Sequence, residues 1–267
     1  MISWCSYCQT YQGEVPPFDR FDLTHGICKA CTEKKAMADG DAVARIQPIV
    51  DFHARLREKA RDGFATAPRD VFDQAVALGI QPLDLLIGLV QPALYEIGDL
   101  WTRGEVTVAN EHRFSAMVDS LTALVLERMP RGRGLRRSAE PDVLLANADG
   151  NYHTLGVRMV ELLLVAHGLT TVAVVPGVPA GETLELARSL RPRTFGVSVS
   201  LGRQMKAVRE IGAGLAGWPA KERPRLVVGG LPIKAGLRLD PALGAEAIAD
   251  PRALLVAPGQ ANGTARA

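Results

Sequence analysis

The chain's four cysteines stand as two pairs, Cys5/Cys8 and Cys28/Cys31, each spaced C-x2-C with nineteen residues between the pairs. Two thiolates at that spacing can reach one tetrahedral ion, and the intervening loop can bring the second pair to it. Four soft thiolates suit zinc and close its shell against a catalytic water. A rubredoxin-like iron site would use the same four ligands. His25 is near enough in sequence to support or replace one of them. Four free thiols in an unstructured tail is the alternative that spacing alone leaves open.

A second group is Asp149-Gly150-Asn151-Tyr152-His153-Thr154-Leu155-Gly156, which follows an apolar run and precedes a helical pattern. In open α/β sheets the loops at strand carboxyl ends carry ligands. A histidine there can present one ring nitrogen to a metal, while a polar neighbour such as Asn151 holds the other. Gly156 lets a bulky ligand approach. On residues alone, a solvated loop histidine remains open. A third group is Trp101, with Glu111 and His112 ten and eleven residues on. A flat aromatic and two polar groups could face one ligand. The plainer reading is a bundle-end Trp and an exposed pair.

The elements that must position these residues fall into three blocks. Residues 1–40 hold every cysteine and little aliphatic material, too little to fold on hydrophobic burial without a metal. Residues 42–130 have helical periodicity. Helices are predicted over Val43–Asp62, Pro68–Leu78, Pro82–Gly98 and Thr107–Met129, the last with Phe114, Met117, Val118, Leu121, Leu124 and Val125 on one face. Short connections imply a four-helix bundle. The basic stretch Arg131–Ser138 reads as a linker.

Residues 140–258 alternate strand and helix. Strands are predicted over Val143–Ala146, Thr171–Val175, Phe195–Val199, Arg225–Val228 and Ala247–Ile248. Helices are predicted over Thr154–His167, Gly181–Leu190 and Arg203–Leu215. That alternation makes a doubly wound parallel sheet. The tail after Leu255 reads as disordered.

Composition narrows the function classes. Net charge is +2 over 267 residues, which argues against a generally basic nucleic-acid-binding surface. No apolar run spans a bilayer, and the N-terminus lacks a basic-then-apolar leader. The expected compartment is the cytoplasm, where clustered cysteines read as a metal site rather than disulfides.

Three resemblances rest on these residues. Cys-Ser-Tyr-Cys followed by Thr-His-Gly-Ile-Cys-Lys-Ala-Cys resembles small zinc-ribbon segments attached to bacterial signalling proteins. His153-Thr154-Leu155-Gly156 resembles the D-x-H-x-x-G signature of cobalamin-binding domains, with Ser198-Val199-Ser200 and Gly229-Gly230 following in the family's order. Trp101, Glu111 and His112 resemble the W-x9-E-H motif in the helical cap of cobalamin-dependent light sensors and transcription regulators. The last two together cover roughly residues 45–250.

The resemblance implies a zinc ribbon, a four-helix bundle cap and a Rossmann-like, flavodoxin-like sheet, a multidomain α and α/β chain. It implies cobalamin, in the adenosyl form, held between cap and sheet domain with His153 as lower axial cobalt ligand. Asn151 and Gly156 would support that ligand. Ser198, Ser200, Gly229 and Gly230 would line the nucleotide-tail groove. Trp101, Glu111 and His112 would lie on the upper face.

There are three departures from the family pattern. Asn151 replaces the usual Asp, Ser200 the usual Leu, and Thr102 the His that commonly follows the Trp. Some relatives bind a bilin or heme instead or in addition. The implied function is a photoreceptor that signals to a regulatory protein, with a light-dependent homo-oligomer as a further expected partner state. Two rivals are a corrinoid protein carrying methyl groups between methyltransferases and a directly DNA-binding repressor. Near-neutral charge counts against the second rival.

Overall fold

The computed structural model describes residues 1–34, 42–63, 67–128 and 140–255. The Arg131–Ser138 stretch and the tail after Leu255 lie outside the described residues. The chain divides into two compact units, Met1–Arg128 and Met129–Ala267.

The first unit opens with three short strands, β1 (Ile2–Cys5), β2 (Tyr11–Glu14) and β3 (Leu23–Gly26), in the order β2-β1-β3. β1 runs antiparallel to β2 and parallel to β3. Ile2 and Trp4, two apart and so on one face, are both buried. A short helix α1 (Lys29–Glu33) begins on Cys28, whose sulfur accepts the Cys31 N–H.

The helical part follows. α2 (Ala42–Arg61) buries Ile46, Ile49, Phe52, His53, Leu56 and Ala60, the spacing of one helical face. α3 (Pro68–Ala77) starts on a proline, whose missing N–H costs nothing there, and stops before Gly79 in the left-handed region at φ +80°. The third predicted helix is in fact three pieces. A turn α4 (Pro82–Asp84) leads into a π-helical segment, Leu85–Val90, and then α5 (Gln91–Thr102). All six π-helical residues are buried. α5 runs past the predicted end at Gly98, so Trp101 stands in a helix. α6 (Val108–Arg128) buries Phe114, Met117, Val118, Leu121 and Val125, as its periodicity predicts, while Leu124 is half-buried.

An ion-pair cluster sits within this unit. Arg57 of α2 pairs with both carboxylate oxygens of Glu96 on α5, Arg61 adds a bond of 2.7 Å, and Arg57 Nη1 reaches Asp22 Oδ1 at 3.2 Å. Burial would raise the Glu96 pKa, but the two guanidinium groups outweigh it and hold the carboxyl below its usual range. His53 is 2% exposed, and burial, reinforced by the Arg57 charge, pushes its pKa down to about 4.

Below about pH 6.5 the unfolded chain takes up a proton at His53 that the folded chain does not. Stability therefore falls as pH drops from about 6.5 to 4, by about 1.4 kcal/mol per pH unit at most. Chemical denaturation across that window, followed in the wild type and in His53→Leu, checks this. The variant is expected to show the shallower slope, and equal slopes would contradict it.

The second unit is a five-stranded all-parallel sheet in the order β5-β4-β6-β7-β8. The strands are β4 (Val143–Asn147), β5 (Thr171–Val174), β6 (Thr194–Ser198), β7 (Arg225–Gly229) and β8 (Ala245–Ala247). Renumbered from its own first strand the order is 2-1-3-4-5, the flavodoxin-like arrangement. Helices α7 (Thr154–Ala166), α8 (Ala180–Leu190) and α9 (Met205–Ala216) make the crossovers. A last turn, α10 (Leu231–Lys234), follows β7. Alternate residues of β4 feed two cores: Leu144 and Ala146 pack with Phe195, Val208 and Ile211, while Val143 and Leu145 pack with Val157, Leu164 and Val227. Burial on both faces explains why β4, an interior strand of the sheet, reads as a continuous apolar run.

Candidate functional site

The order of this sheet reverses at β4, with β5 on one side and β6 on the other. The crevice beyond the carboxyl ends of β4 and β6 is therefore the switch point where such sheets bind ligands. Asn151 and His153 follow β4 there, and Ser198 closes β6, one residue earlier than predicted. His153 is exposed and stands immediately before α7.

Asn151 is fully buried and every polar atom of its side chain is used. Its Nδ2 donates to the Ser198 carbonyl at 3.0 Å. Its Oδ1 accepts from the His153 backbone N–H at 3.0 Å and from Ser200 Oγ at 2.8 Å. The His153 ring nitrogen Nδ1 lies 3.3 Å from the same oxygen. These partners orient the amide, because reversing it would set its NH2 against a backbone N–H and its oxygen against a carbonyl. An amide oxygen only accepts, so Nδ1 carries the ring proton. Nε2 is then the ring nitrogen left to face a metal.

Gln204, which the sequence reading did not single out, ties the two loops together. It is 4% exposed. Its Oε1 accepts from the N–H groups of Ser200 and Leu201 at 2.7 and 3.0 Å, and its Nε2 donates to the Gly150 carbonyl at 3.0 Å. Asn147 supports the loop from below, donating to the Asn151 carbonyl at 3.1 Å, while its Oδ1 is buried without a partner. Neither residue carries a sequence signal, since each matters only through loops that folding brings near.

Gly156 lies in the first turn of α7, and a Cβ there would meet nothing within 4 Å, so the face beside His153 is open. Gly229 pairs with Ser198 across the β6–β7 ladder. Gly230 has φ +115°, and a Cβ on it would lie 1.9 Å from the Val199 carbonyl oxygen, so only glycine fits. The sheet thus brings Asn151, His153, Ser198, Ser200, Gly229 and Gly230 to neighbouring strand ends.

In the first unit, Trp101 lies near the end of α5 and is 46% exposed, an unusual position for so large an apolar group. Glu111 and His112 occupy the first turns of α6. Glu111 Oε2 is hydrogen-bonded to His112 Nδ1, and its Oε1 accepts from Ser115 Oγ at 2.7 Å. This leaves His112 Nε2 for another partner.

The four cysteine sulfurs all lie within 4.8 Å of one another. Cys8 and Cys28 are 3.7 Å apart, against about 3.8 Å for two thiolates on one tetrahedral zinc. Burial opposes ionisation of Cys5, but backbone N–H groups of Cys8, Cys28 and Tyr7 overcome it and bring the thiol down to about 6. The donor set fits a closed four-thiolate metal site. His25 stands on β3, opposite Trp4 of β1.

Residues 53–125 match the family model described as the B12 binding domain. The trimethylamine corrinoid protein of Methanosarcina barkeri is 21% identical over 180 residues, covering 67% of this chain and 82% of that protein. The HTH-type transcriptional repressor CarH of Myxococcus xanthus is 29% identical over 134 residues, covering 50% of this chain but 42% of the repressor. The monomethylamine corrinoid protein of M. barkeri has the same fold, with a TM-score of 0.62 at 17% identity over 75% of this chain and 92% of that one.

Proposed function

We propose that this chain is a cobalamin-dependent sensor, a photoreceptor, that signals to a partner protein in gene regulation or signal transduction. The observation that carries the corrinoid part is His153 at the sheet's switch point, its Nδ1 held by Asn151 and its Nε2 free for cobalt. The B12 binding domain match supports a corrinoid cofactor independently. When bound, the corrinoid supplies a cobalt–carbon bond that light can break. His153 would hold the cobalt from one side. Ser198, Ser200, Gly229 and Gly230 would flank the nucleotide tail, and Gly156 would leave room for the ring. The half-exposed Trp101 would shield the upper axial group, adenosyl in this reading, with Glu111 and His112 beside it. Thr102 brings no imidazole beside Trp101, so His112 is the residue that would supply one to the cofactor there.

A change of output requires that the two cofactor states favour different conformations of the protein. Trp101 is the side chain whose contacts would differ between them. The four cysteines would hold zinc, and the chain would act in the cytoplasm through protein contact, with a light-dependent homo-oligomer as one output. No helix among the described residues is long and apolar enough to cross a membrane.

Methyl carriage is the second reading. It is favoured by one observation: the match to the trimethylamine corrinoid protein spans most of that protein, whereas the match to the repressor spans less than half. A bilin or heme beside the corrinoid is a further variant of the sensor reading.

Spectra and sedimentation of the protein loaded with adenosylcobalamin, in darkness and after illumination, separate these readings. A light-dependent change in spectrum and assembly is the expected result. Tight retention with no light response would move the assignment to methyl carriage.

Asn151→Ala leaves the imidazole unoriented and exposes Ser198 and Ser200 to lost bonds. Corrinoid affinity is expected to fall about 10–100-fold, as for other groups that orient a metal ligand. Asn151→Asp should keep tight binding, and titration of both variants with cobalamin measures it. Equal affinity in Asn151→Ala and wild type would contradict the role given to this amide.

A further inference from the structure

The cysteine-bearing sheet grips the helix that carries Trp101. Trp4, directly before Cys5 on β1, is fully buried, and its ring lies over Gly88 in the π-helical segment. A Cβ on Gly88 would come within 2.8 Å of Trp4 Cζ3 and 2.9 Å of Tyr11 Cγ. Trp4 and Tyr11 are partners across β1 and β2, with ring centroids 6.2 Å apart. The Tyr11 N–H donates to Asp84 Oδ2 at 3.3 Å, just before the π segment. Asp22, just before β3, bonds Arg57, which holds Glu96 beyond the segment on α5. The sheet therefore holds the π segment before, within and after its six residues.

The segment has reason to need such support. π-helical stretches are rare and occur where packing favours them over the α form. Here the wider turn places Gly88 under two rings, and Gln91 N–H bonds the Leu86 carbonyl five residues back. If the segment reverts to α-helix, one residue is drawn through and everything after it turns by about 100°. α5 continues directly from the segment and carries Trp101.

We propose that the metal state of the Cys5, Cys8, Cys28 and Cys31 cluster sets the conformation of Leu85–Val90 and α5, and so regulates the Trp101 end of the corrinoid site. The coupling itself rests on the four-thiolate metal reading, and only its consequence rests on the corrinoid reading. Strands of four residues cannot hold their register alone, so without a metal Trp4 and Tyr11 leave Gly88 and the π segment loses its cover.

The test is amide hydrogen exchange on the full chain without corrinoid, comparing zinc-loaded protein with protein stripped by a chelator under reducing conditions. Exchange over Leu85–Thr102 is expected to rise about tenfold on stripping, to recover when zinc is restored, and to stay unchanged over Thr154–Ala166. Gly88→Ala should raise it in the same place with zinc still bound. Trp4→Phe should keep the protection that Trp4→Ala loses. Faster exchange confined to residues 1–34, or a cluster that binds no zinc, would overturn the proposal. A cobalamin off-rate measured on the same two preparations reads the consequence. Coupling without cobalamin binding would sink the corrinoid reading and leave the coupling standing.

Discussion

His153→Ala should abolish the spectrum of cobalamin ligated by a protein imidazole and weaken cobalamin binding by at least about 100-fold. The lower bound comes from groups that merely orient metal ligands, whose loss costs about 10–100-fold, so loss of the ligand itself costs no less. The fold should survive, because His153 is exposed and its side chain makes one bond, to Asn151. Asn151 keeps its bonds to Ser198 and Ser200 when the ring is gone. Titration with cobalamin followed by absorbance measures the effect. A variant that binds as tightly with an unchanged spectrum would mean that cobalt takes its lower ligand elsewhere.

The second large effect is expected from Cys5→Ser. Cys5 is fully buried, accepts the Cys28 N–H at 3.4 Å, and is the thiol that backbone donors bring nearest to ionisation at neutral pH. A serine in its place removes one of four ligands from a segment whose four-residue strands depend on the ion for their register. Structural zinc in small domains contributes on the order of 10 kcal/mol to folding, so loss of the ion should cost the first unit more than about 4 kcal/mol. Metal analysis should find the ion gone, and thermal melting should show the first unit's transition moved down while the second unit's stays. One equivalent of zinc retained with an unmoved transition would contradict the four-thiolate site.

Particular residues explain how much of this was legible in the sequence. The interior strand β4 is buried on both faces, so Val143, Leu144, Leu145 and Ala146 read as one apolar run, and the predicted start of β4 coincides with the observed one. The cysteine pairs and the Asn151–His153 neighbourhood were legible because their partners lie only three and two residues apart.

What could not be read depends on long-range contact. The strands of the first unit are four residues each, and their aromatic face has meaning only against Gly88, more than seventy residues later. The π segment hides in periodicity because all six of its residues are buried, so no polar face marks its register. Gln204 acts through Gly150, and Ser200 through Asn151, across loops separated by about fifty residues of chain. Asn151 and Ser200 looked like two separate departures from the family pattern. The 2.8 Å bond between them makes them one local arrangement around the imidazole.

The central claim is that a nitrogen of this chain, on His153, binds cobalt. Electron paramagnetic resonance of the cobalt(II) form in protein uniformly labelled with nitrogen-15 tests it most directly. Unlabelled cofactor in labelled protein should give hyperfine lines split into doublets by a protein nitrogen, in place of the triplets given by unlabelled protein. Triplets that persist in the labelled protein would assign the axial nitrogen to the cofactor's own base and contradict the account.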